Sequence, residues 1–174
     1  MNTTPNLIID RKEIYKAQKF AFEAHDKEGQ RYGRYDYTKH LSDIKSVLLS
    51  HNYIHTDFLV TGYLHDTLED CDVTKDEIES QFGIDILNNV IALTKLPNGE
   101  PNYQMLKMKK VAKAVKLIDS YVNLGQGIIE RNKKSEKYVK RFPKYRAELY
   151  VKGEFENLWL ALEKQISIYK AFVL

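Results

Sequence analysis

Apolar residues in this chain recur at intervals of three and four, and no stretch alternates long enough to specify a strand. That period is the strongest constraint on the fold, because it lays an apolar stripe along one side of a helix and cannot line one face of a pleated strand. Ile14, Ala17, Ala21 and Ala24 predict an amphipathic helix over about 11–26. Leu41, Ile44, Val47 and Leu48 predict a second over about 38–51. Between them, residues 27–37 hold Gly29 and Gly33 and no stripe, so they are expected to form an exposed loop. Thr56 is placed to cap a third helix carrying Phe58, Leu59, Tyr63 and Leu64. Thr74 and Glu77 have capping-box spacing, which predicts a short helix to about Phe82, and a further one is expected from Asp85 to Lys95.

Pro97, Gly99 and Pro101 then mark a loop. Beyond it Met108, Val111, Val115, Ile118 and Val122 form a long stripe, with Lys107, Lys109, Lys110, Lys113 and Lys116 assigned to the opposite faces. Two more helices are expected near 134–151 and 155–172, the last with Phe155, Leu158, Trp159, Leu162, Ile166 and Tyr169 as its apolar face. There is no internal repeat. With 174 residues, 43% hydrophobic and 29% charged, the expectation is one all-α helical bundle spanning 1–174.

Net charge and cysteine content narrow the function. A formal charge of +3 is too small to argue for nucleic acid, yet it does not repel an anionic substrate. The basic segment from Arg131 to Arg146 is read as a solvated helix face with Tyr138, Phe142 and Tyr145 turned inward, so no nucleic-acid partner is expected. Cys71 is the single cysteine, which excludes an intramolecular disulfide and an all-cysteine metal site. Residues 1–10 lack the positive start and apolar run of a signal peptide, and no stretch nears the ~20 apolar residues of a membrane span. A cytoplasmic protein with no membrane partner is therefore expected.

The most informative stretch is Tyr63-Leu64-His65-Asp66-Thr67-Leu68-Glu69-Asp70. An imidazole and a carboxylate side by side can both coordinate one divalent cation. Glu69 and Asp70 follow one turn later, on roughly the same side of a helix. So many polar groups beside Leu59, Val60, Leu64 and Leu68 would be costly unless they were paired or metal-bound. His65 and Asp66 cannot close a coordination sphere alone. His40, at the start of the second helix, and Asp119, at the edge of the long stripe, are the candidates for the remainder, although Asp119 could equally be paired with Lys116 or Lys113.

The order of His40, then His65-Asp66, then the distant Asp119 resembles the HD superfamily of metal-dependent phosphohydrolases. More closely, the chain resembles the (p)ppGpp hydrolase domain of Rel/SpoT proteins and the small alarmone hydrolases. The likeness runs from about Ala17 to Leu124 and more weakly to about Leu149. It rests on Ala24-His25, Gly29-Gln30-Arg31, Tyr37 through His40, Leu64 through Asp70, Phe82-Gly83, Leu93-Thr94-Lys95 and Val115 through Leu124. The resemblance implies an HD-type fold, with a motif-bearing core over about 11–126 and C-terminal helices over about 134–172. It implies that His40, His65, Asp66 and Asp119 hold a divalent metal, usually Mn²⁺, and that Glu69 and Asp70 position or deprotonate the attacking water. Arg31, Tyr32 and Asn123 would meet a nucleotide substrate, Arg31 by packing on the base. The implied reaction releases pyrophosphate from (p)ppGpp, a stringent-response alarmone. The alternative is an HD phosphatase of another nucleotide or phosphorylated metabolite, such as a nucleoside monophosphate or NADPH.

The chain departs from the family pattern at four positions. Tyr32 and Gly33 stand where a lysine and a serine are common, Ser120 where a basic residue is usual, and Val122 where an aromatic or histidine is common. All four touch substrate recognition, and none removes a metal ligand. His25 is expected to tie the first helix to the loop, and His51 and His55 to be surface residues.

Overall fold

In a computed structural model, which describes residues 9–174, the regular structure is helical apart from one small hairpin. The reading of residues 1–10 as lacking a signal peptide falls almost wholly outside the described residues. The first helix, α1 (Arg11–Lys27), begins where Asp10 accepts hydrogen bonds from the Lys12 and Glu13 amides, satisfying two otherwise free donors. Ala17 and Ala21 on its buried face let it approach a central helix, α3 (Thr56–Leu64), closely. The start of α3 differs from expectation by one residue. His55 is the cap, its ring accepting from the Asp57 amide, while the Thr56 hydroxyl accepts from the Asp10 amide and fastens α1 to α3.

Residues expected as plain loop contain two two-residue strands, β1 (Arg31–Tyr32) and β2 (Tyr35–Asp36), paired antiparallel. Two-residue strands are too short for alternation to register. The connecting turn is set by Gly33, whose φ of +62° a side chain would resist. The hairpin leads directly into α2 (Tyr37–Ser50). After α3 come the single turn α4 (Thr67–Asp70), α5 (Lys75–Phe82) and α6 (Ile84–Leu93). The capping box at Thr74 and Glu77 forms as its spacing predicts.

The long stripe divides. A short helix, α7 (Tyr103–Met108), ends at Lys109, whose backbone is extended, and α8 (Lys110–Ile129) starts anew. No glycine or proline marks the break, and Met108 is exposed instead of joining the stripe. Helix α8 is enclosed by α2, α3, α6 and α10 (Glu156–Phe172), so it has no fully solvated side along most of its length. Lys113 and Lys116, assigned to a polar face, are consequently buried, and each is answered by a carboxylate: Glu154 for Lys113 at 2.5 Å, Asp119 for Lys116 at 3.2 Å. Asp119 is thus both a candidate ligand and ion-paired. A 3-10 turn (Lys133–Ser135) and α9 (Glu136–Leu149) precede α10. The expected apolar face of α10, from Leu158 to Tyr169, is buried, each large side chain contributing about 1.5–3 kcal/mol. Among the described residues no helix is long and apolar enough to cross a membrane.

Candidate metal centre and cleft

Three elements converge on one point. His40 sits in the first turn of α2, His65 closes α3, and Asp119 lies midway along α8, all three buried. One ligand atom from each lies within 4.8 Å of the others. His40 Nε2 and His65 Nε2 are 3.3 Å apart, and Asp119 Oδ1 is 3.4 Å from the first and 3.9 Å from the second. His65 Nδ1 faces the Gly62 carbonyl at 2.9 Å, an acceptor only, so Nδ1 keeps its proton and Nε2 is the nitrogen that faces the centre and would bind a cation once its own proton is displaced. A single proton cannot satisfy both facing nitrogens and the carboxylate. This donor set fits a borderline divalent cation.

Asp66 takes a different place. Its Oδ2 is 2.9 Å from His65 Nε2 and 4.0 Å from His40 Nε2, and it accepts a hydrogen bond from the Tyr37 hydroxyl. Its side chain is more exposed than those of the other three, which sets it at the cleft side of the cluster. The field at the centre is strongly anionic. Burial opposes charge on His65, yet Asp66 and Asp119 raise its pKa to about 9. Burial likewise opposes the Asp66 and Asp119 anions. His65 holds Asp66 well below the usual carboxylate range, and Lys116 does the same for Asp119. A field that retains a proton on a buried imidazole also favours a metal cation there.

Helix α8 orients Asp119 from both sides. Lys116 Nζ approaches Oδ2, while the Asn123 amide donates to Oδ1 at 2.6 Å and to the Asp119 carbonyl at 2.9 Å. Asn123, expected against substrate, is therefore also engaged with Asp119 itself. The acidic pair splits. Glu69 is ion-paired with Lys95 and accepts from the Lys95 amide at 3.1 Å. Among the described residues Asp70 has no such ion pair. Partial burial, then the charges of Asp66 and Glu69, raise its pKa to about 6.

A cleft of about 280 Å³ opens above the cluster, with Asp66, Asp70, Lys95, Lys137 and Arg141 among its walls. Beside it lies a cavity of about 310 Å³ that shares Tyr32, Asn123, Lys137 and Tyr138 and adds Arg31. The Arg31 guanidinium is held by Asp36 across the hairpin and by the Arg34 carbonyl at 2.7 Å. Tyr32 is buried, its hydroxyl donating to the Val122 carbonyl at 3.4 Å and its ring 4.6 Å from that of His40. His25 hydrogen-bonds Gln30 at 2.7 Å and stacks on Tyr37, joining α1 to the hairpin as expected. His51 and His55 sit at helix ends.

Several cleft residues had no assigned role in the sequence. Tyr37 and Lys95 fall inside motifs that carried the family resemblance. Lys116 was visible only as a possible partner of Asp119. Lys137 and Arg141 belong to the face of the basic segment assigned to solvent and Tyr138 to the side turned inward; the i, i+4 spacing of Lys137 and Arg141 was the available signal.

No protein-family model matches the chain. A protein of Oryza sativa subsp. japonica named GTP diphosphokinase RSH1, chloroplastic, is 33% identical over 84 residues. That match covers 48% of this chain and 9% of the rice protein, so the chain spans under a tenth of that relative. A solved structure described as a metazoan ortholog of SpoT that hydrolyses ppGpp and plays a role in starvation responses aligns with a TM-score of 0.74. The identity is 21%, and the alignment covers 96% of this chain and 99% of that one. The all-α HD-type fold expected from the sequence is the fold of this chain.

Proposed function

We propose that the chain is a divalent-metal-dependent phosphohydrolase that removes the 3′-diphosphate of (p)ppGpp as pyrophosphate. The observation that carries it is the convergence of His40, His65 and Asp119 beneath a cleft whose walls combine Asp70 with Lys95, Lys137 and Arg141. The chemistry of the metazoan structural neighbour, ppGpp hydrolysis, supports the choice of substrate.

In this reading His40, His65, Asp66 and Asp119 hold the metal, with Mn²⁺ as the expected ion. The metal would supply Lewis acidity and a lower pKa for water. Asp70 is the general base, because its carboxylate titrates near neutral pH while Glu69 is occupied by Lys95. Asp70 takes the proton as the water oxygen bonds to the phosphorus next to the ribose. The 3′-oxygen–phosphorus bond breaks, and the 3′-oxygen leaves and is protonated. Lys95, Lys137 and Arg141 neutralise the diphosphate. Arg31 packs on the base, Tyr32 walls the cavity beside it, and Asn123 orients Asp119 beside the sugar.

The chain is taken to act as one unit over 1–174, since Lys137 and Arg141 of the C-terminal helices line the same cleft as the motif-bearing core; its place of action is taken to be the cytoplasm, as the sequence leads one to expect. The test is a pyrophosphate-release assay with Mn²⁺ on (p)ppGpp, nucleoside monophosphates and NADPH, with elemental analysis of the purified protein. Turnover of 5′-phosphates alone overturns the substrate, and activity undiminished by EDTA and by His65→Ala overturns the metal centre.

A further inference from the structure

The cavity beside the metal cleft carries one carboxylate whose surroundings are unusual. Glu130, at the C-terminal end of α8, lines it together with the cations Arg31, Lys134 and Lys137. None of these cations lies within ion-pair distance of Glu130 among the described residues. Glu130 is held by neutral donors instead. Its Oε1 accepts from the Gln126 amide and its Oε2 from the Asn132 amide, each at 2.8 Å. Two amides on opposite oxygens fix the carboxylate's orientation without cancelling its charge, and each oxygen retains a free lone pair. The opposite wall is cut back to suit. Gly33 has φ +62°, and a Cβ there would collide with Glu130 Oε1. The glycine therefore provides both the turn and the space for the carboxylate.

We infer that Glu130 is a specificity-determining residue that reads the base of the nucleotide and selects guanine over adenine. The inference rests on the nucleotide-hydrolase reading above. Guanine presents adjacent N–H donors at N1 and the 2-amino group, which match an oriented carboxylate. Adenine presents an unprotonated N1, whose lone pair would face the carboxylate and leave a desolvated charge unpaired. A carboxylate retained only for stability would be expected to pair with one of the three nearby cations. This one is aimed by two neutral amides at the cavity wall, with no ion pair among the described residues.

The experiment compares kcat/KM for ppGpp, its inosine analogue and its adenosine analogue in wild type, Glu130→Gln and Glu130→Asp. It is accompanied by equilibrium binding of GDP and ADP in EDTA. Wild type should prefer guanosine over adenosine by about 10- to 100-fold, the range for a two-point polar contact to a base. The inosine analogue, which keeps N1–H and lacks the 2-amino group, should fall between. Glu130→Gln and Glu130→Asp should bring the ratio within a few-fold, mainly by losing guanosine. The wild-type substrate series needs no variant to fold. Equal use of the three bases by wild type, or a preference unchanged in a folded Glu130 variant, overturns the inference. Preferential GDP binding that needs Glu130, with no hydrolysis of any analogue, would uphold it and refute the hydrolase reading instead.

Discussion

Replacing Asp70 by asparagine should make the metal-free protein more stable and the proposed hydrolysis far slower, because one electrostatic arrangement has opposite effects on folding and on the proposed proton transfer. Asp70 titrates near 6, against 3.8 for a free aspartate, owing to partial burial and then to the charges of Asp66 and Glu69. A carboxyl whose pKa is raised on folding binds its proton more tightly in the native state. It is neutral in both states below pH 3.8, so it costs nothing there. The cost grows as pH rises toward 6 and is complete above about 7. The full shift corresponds to about 3 kcal/mol at 1.36 kcal/mol per pH unit. Asp70 lies at the exposed mouth of the cleft, where solvent screening leaves about 1 kcal/mol. Asp70→Asn should recover that amount. Urea unfolding followed by circular dichroism in EDTA should give a gain of about 1 kcal/mol at pH 7.5 and none at pH 4. Loss of the proposed general base should lower kcat by about 10²–10⁴-fold with Mn²⁺ present. A variant less stable than wild type at pH 7.5, a gain equal at both pH values, or unchanged turnover would each refute the reasoning.

Three further outcomes are expected. Lys116→Met leaves the buried Asp119 carboxylate without its cation, which should cost about 3 kcal/mol in EDTA and less with saturating Mn²⁺; equal losses of melting temperature in both conditions would contradict this. Gly127→Ala should destabilise by about 1–3 kcal/mol in denaturant titrations, because its Cβ would lie 2.6 Å from Ser135 Oγ and 2.9 Å from the Tyr169 ring. Gly125→Ala meets only the end of the Gln165 side chain and should be neutral or stabilising, so similar losses at the two glycines would exclude the packing explanation. Burial raises the Cys71 thiol pKa to about 12, so alkylation at pH 8 should run about 10³-fold slower than for a free cysteine thiol and rise about tenfold per pH unit; labelling at the free-thiol rate would refute it.

Much of the architecture could be read from periodicity. The apolar faces of α1, α2 and α10 and the capping box of α5 follow from local chemistry, which a window of residues contains in full. The cap of α3 at His55, the break at Lys109 and the two-residue hairpin were not legible. The first two turn on single residues without a glycine or proline signal, and the third is shorter than any detectable alternation.

The candidate site divides along the same line. Residue types and their order were enough to single out His40, His65, Asp66, Asp119, Glu69 and Asp70, because metal and proton chemistry demands imidazoles and carboxylates and a helix places them at known offsets. Tertiary structure decided how they are paired. Burial of α8 on nearly every side turned Lys116 from a supposed surface residue into the partner of Asp119. Lys95, distant in sequence, occupied Glu69 and left Asp70 to titrate near neutrality. The fold of α9 over the cleft brought in Lys137 and Arg141, and the approach of the hairpin to α8 set Gly33 against Glu130. The imidazole-carboxylate tetrad was written in the chain, whereas its charge balance and the lining of its cleft depend on distances between segments that only packing brings together.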